Sequence, residues 1–323
     1  MKTGIAVAGS ILVDKINEIT AYPKAGELTQ ILSVSKAAGG LVPNVAIDLK
    51  KMEPTLTVKA VGCVGQDDDG AFAVSALKDG GVEIENVFEI AERTSFTEVM
   101  SVIGGQRTFF THAGASAAFG AKHFDFEKLD VKMLHLGYFL LLDKVDNGDG
   151  IQILRAAQAA GVKTSIDLVS ENSDRYQKVV LPCLPFVDNL IINEVEAGAI
   201  VGIEPTRENL RVIAEKLKAC GVKERVIIHT PELGVCVSER GFTYLPSYQI
   251  EKDFIKGTTG AGDAFCAGAL LGIYREQTDE QILSLASSAA IAALSSADAT
   301  SGMRSEKDIE LLCKDLKRRT ICL

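Results

Sequence analysis

A stretch of small residues near the C-terminal end of the chain leads directly into an apolar run. Residues 257 to 272 read Gly-Thr-Thr-Gly-Ala-Gly-Asp-Ala-Phe-Cys-Ala-Gly-Ala-Leu-Leu-Gly. Because Gly260, Ala261 and Gly262 have almost no side chain, their backbone N–H groups can approach an anion at the start of a helix. The carboxylate of Asp263 falls in the first turn beside them. Phosphoryl transfer needs both donors for the transferred group and a base for the attacking hydroxyl.

The same spacing also fits an ordinary helix start, in which Asp263 interacts favourably with the helix dipole. Other phosphate-binding motifs are absent from the sequence. It contains no G-x-x-x-x-G-K-[ST], and Phe265 stands where the third glycine of G-x-G-x-x-G would be. A P-loop enzyme and a nicotinamide-dependent dehydrogenase are therefore disfavoured.

Length and composition indicate a globular chain with an acidic surface. The 323 residues approach the upper limit for one hydrophobic core, so we expect a single domain over residues 1–323. The net charge of −9 argues against nucleic acid as a partner. No run of about 18 apolar residues predicts a membrane span, and the N-terminus lacks a signal-peptide pattern. We therefore expect a cytoplasmic protein.

The cysteines and histidines do not predict a metal site. The seven cysteines are odd in number and show no C-x-x-C spacing, which is typical of buried, reduced thiols. The histidines lack the spacing of metal ligands; they are His112, His123, His135 and His229.

Alternating strands and helices in much of the chain predict a parallel-rich sheet flanked by helices. Apolar runs that read as strands are residues 5–9, 58–62, 133–136, 164–167, 189–192 and 225–228. Helical spacing of apolar residues follows at 44–52, 151–160 and 207–220, and the chain after residue 263 reads as mostly helical.

Two segments, at about 15–38 and 94–112, alternate polar and apolar residues and read as exposed β structure. The second contains Gly104-Gly105 between two alternating runs, which predicts a hairpin. We expect the segments to join into a small β-sheet lid, whose closure would exclude water from the reaction. Pairing of its exposed edge with a second copy, giving a homodimer, is a further hypothesis.

Five blocks of the sequence, in family order, resemble the ribokinase-like (PfkB) carbohydrate kinases. Gly39–Ala46 is similar to the Gly-Gly-x-x-x-Asn-x-Ala signature, and Thr258–Phe265 to the C-terminal signature. The others are Gly9-Ser10 with Asp14, Val61–Gly70 (V-G-x-V-G-x-D-x-x-G) and Asn193–Glu196 (N-x-x-E). The resemblance implies a ribokinase-like α/β fold. It also implies transfer of the γ-phosphate of ATP to a hydroxymethyl group of a small sugar or sugar-like alcohol.

The resemblance implies roles on the acceptor side. Asp263 would be the catalytic base, and Gly260, Ala261 and Gly262 would form the anion hole. The acceptor pocket would be lined by Asp14, Gly39, Gly40 and Asn44. Gly39-Gly40 also fits a simple turn, and Asn44 a residue at a helix start. Arg107 on the second lid segment is a substrate-contact candidate that fits a solvated hairpin arginine equally well.

The resemblance also implies a nucleotide side. Asn193 and Glu196 would hold Mg²⁺ through its waters, although the same pair fits a helix N-cap with a capping box. Asn193, Thr258 and Gly234 would contact the nucleotide. Asp167, at the end of a predicted strand, is a further candidate for the site.

Three positions depart from the family's pattern. Gly257 replaces an Asp that helps to bind K⁺ in many members, so K⁺ dependence stays open. His229 and Pro231 replace the Thr and first Gly of T-x-G-x-x-G, and because proline removes an N–H, adenine contacts are not predicted. Ser116 stands near a position where an amide that touches substrate is common.

Two alternatives remain. A nucleoside kinase on the same fold would stack a base on aromatic lid residues such as Tyr22, Phe96, Phe109 or Phe110. A non-catalytic regulator that binds a sugar or nucleotide is the other, and the intact Gly260–Asp263 run argues against it.

Overall fold

The structure, a computed structural model, describes residues 2–102, 107–171 and 174–323, which form two β-sheets with helices around them. The strands are β1 (Ile5–Ala8), β2 (Leu12–Ile19), β3 (Ile31–Gly39), β4 (Val58–Gly65), β5 (Glu83–Ile90), β6 (Ser95–Val102), β7 (Arg107–His112), β8 (Met133–Phe139), β9 (Lys163–Leu168), β10 (Asn189–Asn193), β11 (Arg225–His229), β12 (Leu233–Ser238) and β13 (Gly241–Pro246).

The helices follow the same order in the chain. The α-helices are α1 (Leu41–Met52), α2 (Asp68–Asp79), α3 (Gly114–Ala117), α4 (Phe126–Leu129), α5 (Gly150–Ala159), α6 (Glu194–Val201), α7 (Leu210–Ala219), α8 (Ala261–Tyr274), α9 (Asp279–Leu294) and α10 (Glu306–Cys313). Among the helices of the described residues, none is both long and apolar enough to cross a membrane.

The large sheet has the strand order β13-β12-β11-β10-β9-β8-β1-β4-β5. Its strands from β11 to β5 are parallel, and β12 and β13 are antiparallel additions at one edge. The parallel-rich sheet predicted from the sequence is therefore confirmed. In β1 the side chains of Ile5 and Val7 face one apolar core and those of Ala6 and Ala8 face another. Burial on both faces is typical of parallel sheets covered by helices.

Helix α8 is buried along nearly its whole length between the sheet, α1 and α9. Its small residues permit this close packing, because a Cβ atom at Gly268 would lie 2.7 Å from Cα of Ala286 in α9. The buried helix fixes the position of its first turn, where Asp263 lies.

The second sheet, called the small sheet below, has the order β3-β2-β6-β7. Strands β2–β3 and β6–β7 pair antiparallel, and the two segments join through the parallel pair β2–β6. The prediction that two distant segments form one small sheet is therefore confirmed. The predicted Gly104-Gly105 turn lies outside the described residues.

Candidate functional site

The first turn of α8 places a carboxylate beside bare backbone amides. Gly260, the N-cap, has a left-handed φ of 77°. A Cβ atom there would lie 2.6 Å from Cα of Ala299, so no other residue fits without a shift of the backbone. The first N–H groups of a helix have no partner within the helix, so the Gly260–Gly262 segment is suited to an anion. The N–H of Ala261 donates to the Thr258 carbonyl before the helix at 3.3 Å.

The Asp263 carboxylate is buried, with 7% of the residue exposed, and is held by two donors. Asn44 Nδ2 donates to Asp263 Oδ2 at 2.8 Å, and the Tyr138 hydroxyl lies 3.1 Å from both carboxylate oxygens. Burial and the charge of Asp167 raise the pKa of Asp263 to about 7, while the two hydrogen bonds oppose the rise. A carboxylate with a pKa near 7 is suited to general-base chemistry at neutral pH.

Asp263 opens onto a cleft of about 270 Å³ at the carboxyl ends of the central strands. Gly260 and Gly262 line it together with Asp263, and Asn193 and Glu196 of the β10–α6 junction also belong to its wall. Ligands of open α/β sheets bind at this end of the strands. The Asp167 candidate also lines the cleft, as expected from its position at the end of β9.

Asn193 and Glu196 form the capping box that is one interpretation of their spacing. Asn193 Oδ1 accepts from the N–H of Glu196 at 2.9 Å, and Glu196 Oε2 accepts from the N–H of Asn193 at 3.1 Å. The Ser170 hydroxyl donates to the other carboxylate oxygen at 2.7 Å. Burial raises the pKa of Glu196 to about 7, against the hydrogen bond from Ser170. The same two side chains therefore cap α6 and form part of the cleft wall.

Two of the five predicted acceptor residues line a cavity where the small sheet meets the body. A second cavity, of about 430 Å³, is lined by Asp14 and Arg107 of the small sheet and by Thr259 of the loop before α8. Arg107 Nη1 donates to Thr259 Oγ1 at 2.8 Å. Burial raises the pKa of Asp14 to about 6, and the charge of Arg107 opposes the rise. The Arg107 guanidinium therefore faces both the cavity and the loop before α8.

Gly39 and Gly40 connect β3 to α1 and line neither cavity. A Cβ atom at Gly39 would lie 2.3 Å from Oδ2 of Asp14, so the glycine allows that carboxylate to approach the main chain. Gly40 is the N-cap of α1 and has a left-handed φ of 84°. Gly39 therefore leaves room for the Asp14 carboxylate, and Gly40 starts the helix that carries Asn44.

Seven of the residues singled out in the sequence line neither cavity; they are Gly39, Gly40, Asn44, Ser116, Gly234, Thr258 and Ala261. Thr258 lies in the exposed loop before α8, and its carbonyl accepts from Ala261 at 3.3 Å. Gly234 lies in β12, where a Cβ atom would meet Leu283 at 3.1 Å. Ser116 is buried and bonds to the Ser95 hydroxyl at 2.8 Å, so it ties α3 to β6.

The sequence analysis missed Tyr138, which reaches Asp263 from the end of β8. Its φ of 58° is left-handed, an unusual conformation for a large side chain, and its N–H donates to Asp167 Oδ1 at 2.6 Å. A register irregularity between Leu136 and Phe139 accompanies this turn. The position of Tyr138 just after a predicted strand was the available signal.

His229 is a second missed residue of the cleft. Its ring packs on Phe265 with centroids 4.8 Å apart, and burial lowers its pKa to about 4. It is therefore a neutral imidazole beside Gly262 at neutral pH.

Two relatives show how this chain compares in sequence. A ribokinase from Arabidopsis thaliana is 27% identical over 317 residues, which cover 96% of this chain and 81% of the relative. An adenosine kinase from Schizophyllum commune is 25% identical over 259 residues, which cover 76% of this chain and 75% of the relative.

The solved structure of Arabidopsis thaliana ribokinase with ribose and ATP matches this chain with a TM-score of 0.84 at 24% identity, covering 97% of this chain and 99% of the other. That match confirms the predicted ribokinase-like fold. The family described as pfkB family carbohydrate kinase matches residues 2–306. Since the match extends over nearly the whole sequence, the chain belongs to the pfkB family of carbohydrate kinases.

Proposed function

We propose that this protein transfers the γ-phosphate of ATP to a hydroxymethyl group of a small sugar or sugar-like alcohol, with Asp263 as the base. The observation that carries the proposal is the Asp263 carboxylate, buried in the first turn of α8 with a pKa of about 7. In its ionised form it takes the proton of the attacking hydroxyl, and the amides of Gly260–Gly262 stabilise the charge of the transferring group.

The acceptor would occupy the cavity between the small sheet and the body. Asp14 and Arg107 both line this cavity and supply an acceptor and donors for hydroxyl groups. The hydrogen bond from Arg107 to Thr259 connects the small sheet to the loop before α8. A substrate held on both sides would therefore be shielded from water during transfer.

Mg²⁺ fits the β10–α6 junction as an ion held through its waters. Asn193 Oδ1 and Glu196 Oε2 are already engaged in the helix cap, and Glu196 Oε1 accepts from Ser170. Direct ligation is therefore disfavoured, and Mg²⁺ usually keeps several waters. Glu196 is a buried carboxylate on the cleft wall, and a nearby cation would stabilise its ionised form. When bound, Mg²⁺ would neutralise charge on the phosphates.

A nucleoside kinase is the second candidate function. Phe109 and Val99 contribute apolar surface to the acceptor cavity, and such surface could pack against a nucleobase. Phe96 is less suited to this role, because its ring is covered by Lys15 at 4.3 Å from the ring centroid. The adenosine kinase among the relatives is consistent with this candidate.

A panel of acceptors distinguishes these functions. Sugars, sugar alcohols and nucleosides are each incubated with ATP and Mg²⁺, with and without K⁺, and ADP release is measured. We expect release only with a subset of the sugars or alcohols; release confined to nucleosides favours the second candidate. Tight binding of ATP or a sugar without ADP release from any acceptor would identify a non-catalytic regulator.

We also propose a homodimer formed through the small sheet and a cytoplasmic location. The small sheet exposes apolar side chains outside the acceptor cavity, which a second copy would cover; they are Ile31, Leu32, Val34 and Phe110. All seven cysteines are free thiols, as expected in a reducing compartment.

A further inference from the structure

Three side chains that can bind metals meet at the wall of the cleft, and no ligand has been assigned to them above. His135 of β8, Asp167 of β9 and Cys266 of α8 are called the thiol cluster here. His135 Nε2 lies 3.4 Å from Asp167 Oδ2 and 3.4 Å from Cys266 Sγ. The three ligand atoms lie within 4.8 Å of one another, and all three residues are buried. Asp167 and Cys266 also line the cleft, so the cluster can be reached from there.

The orientation of the His135 ring places Nε2 toward the other two groups. The Ser165 hydroxyl lies 2.9 Å from His135 Nδ1 and 3.4 Å from the carbonyl oxygen of Leu134. In the tautomer in which the hydroxyl donates to the carbonyl and accepts from Nδ1–H, Nε2 is free to bind a metal. An imidazole with Nδ1 hydrogen-bonded and Nε2 free is the usual state of a metal-binding histidine.

In that tautomer, Nε2 and the Asp167 oxygen both present lone pairs, and a shared cation would bind both of them together with the Cys266 sulfur. Asp167 Oδ1 already accepts from the Tyr138 N–H at 2.6 Å, so only Oδ2 faces the cluster. Each of the three residues thus offers one ligand atom to the same point.

We propose that the thiol cluster binds a thiophilic divalent cation such as Zn²⁺, with His135 Nε2, Asp167 Oδ2 and Cys266 Sγ as ligands and the fourth position toward the cleft. Ligands of a tetrahedral Zn²⁺ site are about 3.4–3.6 Å apart, given Zn–N and Zn–S bonds of about 2.1 and 2.3 Å. Both separations from Nε2 match this spacing.

Binding would exchange a proton for the metal. The S–H bond of Cys266 breaks, the proton leaves to solvent, and the thiolate sulfur binds the cation. Thiolate and carboxylate then balance the two positive charges. Burial raises the pKa of the Cys266 thiol well above its usual range, so the metal must displace this proton.

Co²⁺ tests the proposal because a cobalt–thiolate bond absorbs light in the near ultraviolet. The full chain is used in a background in which the exposed Cys220 and Cys322 are replaced by serine, which removes surface thiols. Reduced, metal-free protein is titrated with Co²⁺ and then with Zn²⁺. We expect a charge-transfer band that saturates at one equivalent and disappears when Zn²⁺ displaces cobalt.

Cys266→Ser should abolish the band. Cys63→Ser is the matched control, because Cys63 Sγ also lies 3.4 Å from an imidazole, Nε2 of His123, and no third ligand joins that pair among the described residues. Asp167→Asn should weaken Co²⁺ binding at least tenfold. Circular dichroism establishes that each variant is folded.

Thermal unfolding gives an independent reading. A ligand that binds the native state raises Tm, so Zn²⁺ should raise Tm of the background protein and of its Cys63→Ser form but not of its Cys266→Ser form. The proposal is overturned if no cobalt–thiolate band forms, or if the band survives Cys266→Ser.

Discussion

Asp263 combines a buried carboxylate, two hydrogen-bond donors and a neighbouring charge. Its replacement by Asn keeps the size of the side chain but removes the group that accepts a proton. We expect Asp263→Asn to lower turnover by about 10²–10⁴ in the ADP-release assay, the range for loss of a general base. Near-normal turnover in the variant would refute the assignment of Asp263 as base.

The same substitution should not lower stability at neutral pH. The folded pKa of Asp263 is about 7, above its ordinary value of 3.8, so its contribution to stability is largest at low pH and is lost as pH rises through 7. Asn carries no such penalty. Tm of Asp263→Asn, followed by circular dichroism at neutral pH, should therefore equal or exceed that of the unmodified protein.

Tyr138 should set the pH at which the base becomes active. The ionised carboxylate is the active form, so kcat/KM should rise with pH through about 7. The Tyr138 hydroxyl donates to this carboxylate and favours its charged form. Tyr138→Phe should shift the rise upward by about one pH unit, given roughly 1.5 kcal/mol for a hydrogen bond to a charged group.

Tyr274→Phe is the control for this shift. The Tyr274 hydroxyl accepts from the N–H of Gly4 at 3.1 Å and does not line the cleft, so its removal should leave the pH profile unchanged. If Tyr138→Phe lowers activity without moving the midpoint, Tyr138 does not tune the base.

Asp48 is a buried carboxylate one helical turn after Asn44, with neither oxygen paired within the described part of the chain. Burial, and the nearby charge of Asp263, raise its pKa well above 3.8. Its contribution to stability is therefore present at low pH and is lost as pH rises through the folded pKa. Asp48→Asn should raise Tm by roughly 2–4 °C at alkaline pH and change it less below about pH 4.

Asp79→Asn is the matched control, since Asp79 is exposed at the end of α2 and carries the same charge. It should leave Tm nearly unchanged at both pH values. Equal effects of the two substitutions would show that net charge, and not burial of Asp48, determines the stability.

At the scale of elements, the start of α8 offers a paired test of backbone strain. Gly260 combines a left-handed φ with a Cβ position 2.6 Å from Ala299, whereas a Cβ atom at Gly262 would first meet His229 at 3.6 Å, an ordinary contact. Gly260→Ala should cost about 2–4 kcal/mol of stability from backbone conformation and overpacking. Gly262→Ala should stay within about 1 kcal/mol in urea unfolding; comparable losses would exclude strain at Gly260 as the cause.

Local sequence pattern predicted the central elements well. The apolar runs at 5–9 and 58–62 become β1 and β4, because a strand buried on both faces must be apolar at every position. Strand β5 was not predicted, since its Glu-rich sequence belongs to an exposed edge of the sheet. The parallel pairing of β2 with β6 was not predicted either, because contacts between distant segments leave no periodic signal.

In the candidate site, too, local motifs were predictable and contacts between distant segments were not. The family motifs placed Asn44 on the acceptor side and Asp263 at the base, but the hydrogen bond between them depends on the packing of α1 against α8. Tyr138 contacts Asp263 from near the end of β8, where its own backbone is left-handed, and local sequence does not reveal this conformation. Residues in local motifs were therefore predictable, and partners that depend on packing were not.

At the scale of the whole molecule, the small sheet is an open sheet with β3 and β7 at its two edges. Strand β3 is exposed over most of its length, and Val34 is 71% exposed. An edge strand with exposed apolar side chains is a ready surface for pairing with another chain. The Arg107–Thr259 bond attaches the same sheet to the loop before α8, so the proposed dimer interface and the proposed acceptor cavity share one element.

If a second copy covers the small sheet, adding negative charge to the exposed side chains of that sheet should separate the two copies. We expect the unmodified protein to sediment as a dimer, and Val34→Asp with Phe110→Asp to shift it to a monomer, because both carboxylates would be buried at the interface. Val212→Asp is the control, since Val212 is exposed on α7 of the main body. A monomeric unmodified protein, or a dimer that survives both sheet substitutions, would exclude the small sheet as the dimer interface.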